Sequence, residues 1–267
     1  HLSGGFDSAI LARLYDRPNA DYLHLRGPET EKARVLAQTL RGTFHEFELS
    51  NDVFIELAEE LAPRMPEPYE YEDVVYAYFL SKKAMELGHD LVVAGDGGDG
   101  VFGGASAPQY TRKASIIWKT LDPNSVLGLR TLLPYCHTAI YAWAKTHLEP
   151  EQRDREKRFA ARFCRELGMP AIVYEQKKGF WAGSAGMRND PMVLQHLEAV
   201  VADSDYCGLR EIRFPRKPHV DLPFRLFGLV RWLEANYAER LTSHQIQELE
   251  ESVQRLDLRD KCSLRLE

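Results

Sequence analysis

At 267 residues, 44% hydrophobic and 28% charged, the chain can bury about three quarters of its unfolded surface, as one large domain or two small ones. A formal net charge of −6 argues against a primary nucleic-acid binder, and no apolar run is long enough to cross a membrane. Four cysteines (Cys136, Cys164, Cys207, Cys262) show no CxxC spacing and no signal peptide is visible, which suits a reduced, cytoplasmic setting without zinc site or disulfide framework.

The first predicted element is a glycine loop. Ser3-Gly4-Gly5-Phe6-Asp7-Ser8 reads as a turn opening a helix from Ser8 to about Asp16. Gly4 and Gly5 let a ligand approach the backbone with no Cβ in the way. Ser3 and Ser8 add hydroxyls. A helix N-terminus offers free N–H groups and about half a positive charge, so phosphate is its natural guest. Asp7 would repel that phosphate unless a divalent cation lay between them, and the hexapeptide therefore implies nucleotide phosphate with Mg²⁺. The bland alternative is a glycine turn capped by Ser and Asp. No GxxxxGK[ST] sequence occurs, which argues against a Walker-type kinase or ATPase. Such a loop should follow a buried strand, yet only His1 and Leu2 precede it. The expectation is a C-terminal part of something longer, or a chain without its leading strand.

An extended run at residues 22–25 follows, then a break at Gly27-Pro28 and a helix from Thr30 to Thr39. Residues 44–49 alternate as a half-buried strand, helix returns at about 51–62, and Pro63, Pro66 and Pro68 stiffen a loop. Val74 to Leu87 predicts a helix ending at Gly88, and residues 90–94 a buried strand. This alternation predicts an α/β fold with a parallel sheet covered on both faces. After about residue 112 helical periodicity dominates. Thr242-Ser243 caps a last amphipathic segment with Ile246, Leu249, Val253 and Leu256 on one face, read as core or subunit contact. With no repeat or linker, the expectation is a single domain over 1–267, an α/β core of about 1–112 carrying a helical part of about 113–267.

The predicted strand at 91–94 runs into Gly95-Asp96-Gly97-Gly98-Asp99-Gly100. Gly95, Gly97 and Gly100 satisfy the dinucleotide pattern GxGxxG literally. However, Asp96 and Asp99 would set two carboxylates against a pyrophosphate, and the residues after them, with Gly103, Gly104 and Pro108, make a poor helix. The carboxylates make sense around a metal. Asp7 and Asp99 fall at the C-terminal ends of two parallel strands, where open α/β sheets bind ligands, and Mg²⁺ takes one or two carboxylates plus substrate phosphates. Otherwise Asp96 and Asp99 merely shape a turn.

SGGFDS at 3–8 and AGDGGDGVFGG at 94–104 resemble the synthetase domain of the asparagine synthetase family, β-lactam-forming relatives included, and the first loop resembles the SGGxDS signature of ATP pyrophosphatases. Weaker pieces follow in order: residues 31–37, His45-Glu46-Phe47, Pro66-Glu67-Pro68, residues 79–82, Arg158, Arg162, Pro170, Lys177-Lys178-Gly179-Phe180 and residues 229–233. The resemblance implies a sheet of the ATP-pyrophosphatase (adenine nucleotide alpha hydrolase-like) type with a mostly helical C-terminal part. It also implies a ligase that attacks the α-phosphate of ATP with a carboxylate, releases pyrophosphate and turns the acyl-adenylate into an amide.

By position, Ser3, Gly4, Gly5, Ser8, Gly95, Gly97, Gly183 and Ser184 would hold ATP and its pyrophosphate, Leu23 and Leu25 the adenosine, and Asp7 and Asp99 the Mg²⁺. Lys177 matches the family's late lysine, which would stabilise phosphoryl and tetrahedral charge; Lys178 competes for that place, and both also read as a solvated basic turn. The family carries Glu or Tyr where this chain has Asp96, an acidic residue at Gly100, and Asp at His137. These departures gather where the acceptor would bind. Asp96 and His137 are therefore the candidates to orient or deprotonate an amine, His137 alternatively being a structural histidine. Expected partners are a small-molecule or peptide carboxylate with ammonia or an amine, a glutaminase domain upstream or separate (its N-terminal cysteine is absent here), and at most a homodimer; neither nucleic acid nor membrane is expected. Alternatives are a β-lactam-type, peptide-cyclising or other natural-product amide synthetase, a sulfur-transferring or tRNA-modifying pyrophosphatase, and an ATP-binding subunit that has lost turnover.

Overall fold

Strand β1 (Asp21–Leu25) and strand β2 (Thr43–Phe47) pair in parallel with Leu23 opposite His45, and helix α2 (Thr30–Ala37) crosses between them. That is the kind of crossover a parallel pair requires, since two parallel strands cannot be joined by a tight turn. β3 (Leu91–Val93) pairs in parallel with β4 (Arg130–Leu132). The sequence reading has no β4. Its three residues are exposed, half-buried and exposed in turn, so no apolar signal marks them, and pairing with β3 alone makes them a strand. His1 and Leu2 bridge the two pairs: Leu2 N donates to Leu23 O at 2.8 Å, and the His1 nitrogen to Val93 O at 2.9 Å. Leu2 is buried and His1 half-buried ahead of the first loop, though neither belongs to a strand.

This computed structural model describes residues 1–69, 72–103, 118–148, 157–174, 187, 190–204, 222–236 and 251. The chain divides into two compact units, residues 1–50 with 73–186, and residues 51–72 with 187–267. The division does not follow the change of periodicity near residue 112. Instead the chain leaves the first unit after Ser50 and re-enters it at Asp73. The amphipathic segment after Thr242 lies, but for Glu251, outside the described residues.

In the first unit, α1 (Phe6–Leu14) buries Ala9, Ile10 and Leu11 in a core that includes Leu2, Leu36, Val101, Phe102 and Tyr135. α4 (Asp73–Glu86) is buried along almost its whole first half, and Gly88, at φ 86, ends it as Gly does past helix C-termini. A short helix, α5 (Gly98–Phe102), forms where the sequence argues against one; it closes at once on Gly103, at φ 87. α6 (Trp118–Leu127) packs on α4 and leads into β4. α7 (Thr138–His147) comes next, and α8 (Arg158–Glu166) docks on α1 through Ala160 and Cys164.

The second unit joins α3 (Asn51–Leu61) to α9 (Pro191–Asp203) and α10 (Leu222–Asn236). Phe54 meets Phe224 edge to face at 5.9 Å. A Cβ on Gly228 would lie 3.1 Å from Tyr69 O, so glycine lets α10 approach that backbone closely without displacing it. Glu59 accepts from Arg231 Nε and Nη2 at 2.5 and 2.8 Å and from His196 Nε2 at 2.7 Å, which gives the 229–233 piece a structural role.

Candidate active site

The first loop is closed by its own hydroxyls. Ser3 N donates to Ser8 Oγ at 3.0 Å, the two hydroxyls lie 2.9 Å apart, and Ser8 Oγ donates to Gly5 O at 3.1 Å. Gly5 is the N-cap of α1, so the loop delivers the chain directly into a helix start, with Asp7 in the first turn. Tyr135 OH donates to Asp7 O at 2.9 Å and fixes that turn from the side of β4. Gly4, at φ 83, makes a different approach from the one expected: a Cβ there would meet Glu29 O at 2.9 Å, so its freedom serves contact with α2.

The second loop closes on the first. A Cβ on Gly98 would sit 2.4 Å from Asp7 Cγ, and one on Gly95 3.2 Å from Ser8 N. Gly97 has φ 86, with Cys136 Sγ 2.7 Å from where its Cβ would be. A cleft opens over both loops. Ser3, Asp7 and Ser8 line it with Leu23 and Leu25 of β1, and Asp73, Ala77 and Leu80 contribute from α4. Gly95 to Asp99 line the facing side with Lys119 and Thr120.

Lys157, which no sequence reading singled out, ties the loops together. Its Nζ contacts Asp7 Oδ2 at 2.5 Å and also Asp99 Oδ1. Burial pulls this ammonium toward its neutral form, but the two carboxylates outweigh that and raise it above its usual range. Asp7 Oδ1 remains buried with no hydrogen-bond partner. Two carboxylates converging on one cation fit a divalent metal that completes its shell with phosphate oxygens. Among the described residues no three His, Cys, Asp or Glu side chains gather into a metal site.

Asp96 is 7% exposed; its Oδ1 lies 3.2 Å from Lys119 Nζ and its Oδ2 is buried without a hydrogen-bond partner. Burial, with the Asp96 charge nearby, pushes the Cys136 thiol up to about 11, and burial followed by Asp7 pushes Cys164 up to about 12.

The structure therefore brings Ser3, Asp7, Ser8, Leu23, Leu25, Gly95, Asp96, Gly97 and Asp99 into one cleft. Gly4 and Gly5, both buried, do not line it, and neither does His137. His137 is exposed, and its Nδ1 accepts from Ala139 N at 3.2 Å as the N-cap of α7, a structural role. Lys177, Lys178, Gly183 and Ser184 lie outside the described residues. Of the participants missed, Gly98 carried a signal, since glycine between two loop aspartates marks a close approach. Lys119 and Lys157 carried none: Lys119 is a lone lysine between Trp118 and Thr120, and Lys157 is one charge within a charged stretch.

The chain is 31% identical over 121 residues to a glutamine-hydrolysing asparagine synthetase of Zea mays, across 39% of this chain and 20% of that protein. It thus spans about a fifth of the length of that relative. The asparagine synthase family model matches residues 1–191, which hold both glycine loops and Lys157, and the chain belongs to that family.

Proposed function

We propose that the chain is an ATP-dependent, AMP-forming amide ligase. It would adenylate a carboxylate, release pyrophosphate and join the acyl group to ammonia or an amine. The observation that carries this reading is the meeting of Asp7 and Asp99 on one cation at a cleft built from both glycine loops. The start of α1 with Ser3, Gly5 and Ser8 would take the pyrophosphate, Leu23 and Leu25 the adenosine, and Asp7 and Asp99 the Mg²⁺, which supplies charge neutralisation at the phosphates. Asp96, held by Lys119 and with one oxygen unpartnered, would receive the amine. Lys177, Gly183 and Ser184 complete the set on the strength of sequence resemblance, within an ATP-pyrophosphatase-type sheet and a cytoplasmic setting. A glutaminase domain or free ammonia would supply nitrogen.

Isotope exchange between pyrophosphate and ATP across a panel of carboxylic acids tests this reading and names the substrate. Acid-dependent exchange with release of AMP supports it; ADP formation would refute it. Asparagine formation and natural-product or peptide amide formation are close rivals within this reading, and the same panel separates the two. Tight Mg·ATP binding with no AMP for any acid would instead favour an idle nucleotide-binding subunit. Sulfur transfer needs a thiolate, which burial disfavours at Cys136 and Cys164.

A further inference from the structure

Three features of Lys157 are unfavourable taken singly. It is the one non-glycine residue with positive φ among the described residues, at φ 54, a left-handed conformation that L side chains avoid. It is the N-cap of α8, so a cation stands at the positive end of a helix whose first residue is Arg158. Its side chain is also buried, at 8% exposure. All three are offset at one place, the contact of Nζ with Asp7 and Asp99. Lys157 does not itself line the cleft, but both carboxylates it holds do, and local rules broken together beside such a cleft mark a residue held for function.

We propose that Lys157 is the resident counter-ion of the Asp7–Asp99 pair. It holds the two carboxylates together before nucleotide binds and excludes free divalent cations from them. It yields only to a metal that arrives on a nucleotide. This rests on the reading of the cleft as a Mg·nucleotide site. Among the described residues a bare divalent ion finds two carboxylates, no third His, Cys, Asp or Glu to complete a site, and an ammonium that must be pushed into a buried space beside a like charge. A metal bound to phosphates brings its own oxygens and an anionic partner for that ammonium. Metal and phosphate binding are thereby coupled, each favouring the other.

The test is Mn²⁺ titration of nucleotide-free protein, with free Mn²⁺ followed by electron paramagnetic resonance. Lys157→Met should gain one Mn²⁺ site at least about tenfold tighter than any in the wild type. Adding Asp99→Asn should abolish that site, and Lys157→Arg should keep Mn²⁺ out. Equal affinity in wild type and Lys157→Met overturns the proposal. Should Lys157→Met not fold, the wild type alone decides: weak Mn²⁺ uptake without nucleotide that ATP strengthens supports the proposal, whereas tight nucleotide-free uptake removed by Asp99→Asn overturns it. The functional reading fails separately, as absence of Mg·ATP binding by the wild type.

Discussion

Gly98 packs so closely on Asp7 that a methyl group on its Cα would lie 2.4 Å from Asp7 Cγ and 2.6 Å from Oδ1. Asp7 has little room to retreat, because its carboxylate is held by Lys157 and its carbonyl by Tyr135. Gly98→Ala is therefore expected to displace the carboxylate, weaken Mg·ATP binding by about tenfold or more, and cost about 1–3 kcal/mol of stability. Calorimetric titration and urea unfolding read the two effects. Unchanged nucleotide affinity would show that the contact between the loops does not position Asp7.

Asp96 should matter to the second half-reaction and not the first. Asp96→Ala is expected to leave pyrophosphate–ATP exchange within a few-fold while amide formation falls by about 10²–10⁴, the usual contribution of a positioned base. If exchange and amide formation fall together, Asp96 belongs to nucleotide binding instead.

Acid should destabilise the first unit in two steps. His24 Nδ1 lies 2.7 Å from Leu2 O, so it carries the proton, while Nε2 lies 3.0 Å from Thr30 Oγ1. Burial, only partly opposed by Leu2 and Glu46, holds this imidazole below its ordinary value. Hydrogen bonds from Arg34 outweigh burial at Glu46 and, with Arg26, hold its carboxyl down to about 2. Both folded-state values are depressed, so both contributions are complete at high pH. The first is lost as pH falls below about 6.5, the second as it falls from about 4.5 toward 2. The Glu46 contribution is about 1 kcal/mol, because Arg26 and Arg34 are half exposed. Urea midpoints should drop from about pH 7.5 to about 5.5, and His24→Gln should reduce that drop. A wild-type midpoint that stays level over this range contradicts the assignment.

In the second unit, Arg231 presents Nε and Nη2 to the two oxygens of Glu59. Lysine keeps the charge but cannot form that fork, so Arg231→Lys should lower stability by about 1–2 kcal/mol. An unfolding midpoint equal to that of the wild type would mean the fork contributes nothing.

Several elements were legible in the chain because their causes are local. The glycine loops announce themselves through residues that backbone geometry demands, as at Gly97 and Gly4 with φ above 80. β1, β2, α2 and α3 follow from apolar spacing within a few residues, and the C-terminal end of α4 from Gly88. Asp7 and Asp99 were readable because a carboxylate beside an anion-binding turn calls for a metal.

By itself, then, the sequence determined the two loops, the parallel α/β character and the acidic pair that converges in the cleft. Only the tertiary structure decided β4, whose exposed residues carry no pattern without β3, and the removal of His137 from the cleft by its capping of α7. It alone decided Lys157 too. That lysine is 150 positions from Asp7 in the chain, and its burial follows from α8 docking on α1 through Ala160 and Cys164. Chain spacing reports short-range backbone geometry. Which distant charges share one low-dielectric space is settled by packing, where pairing makes an otherwise costly buried ammonium stable.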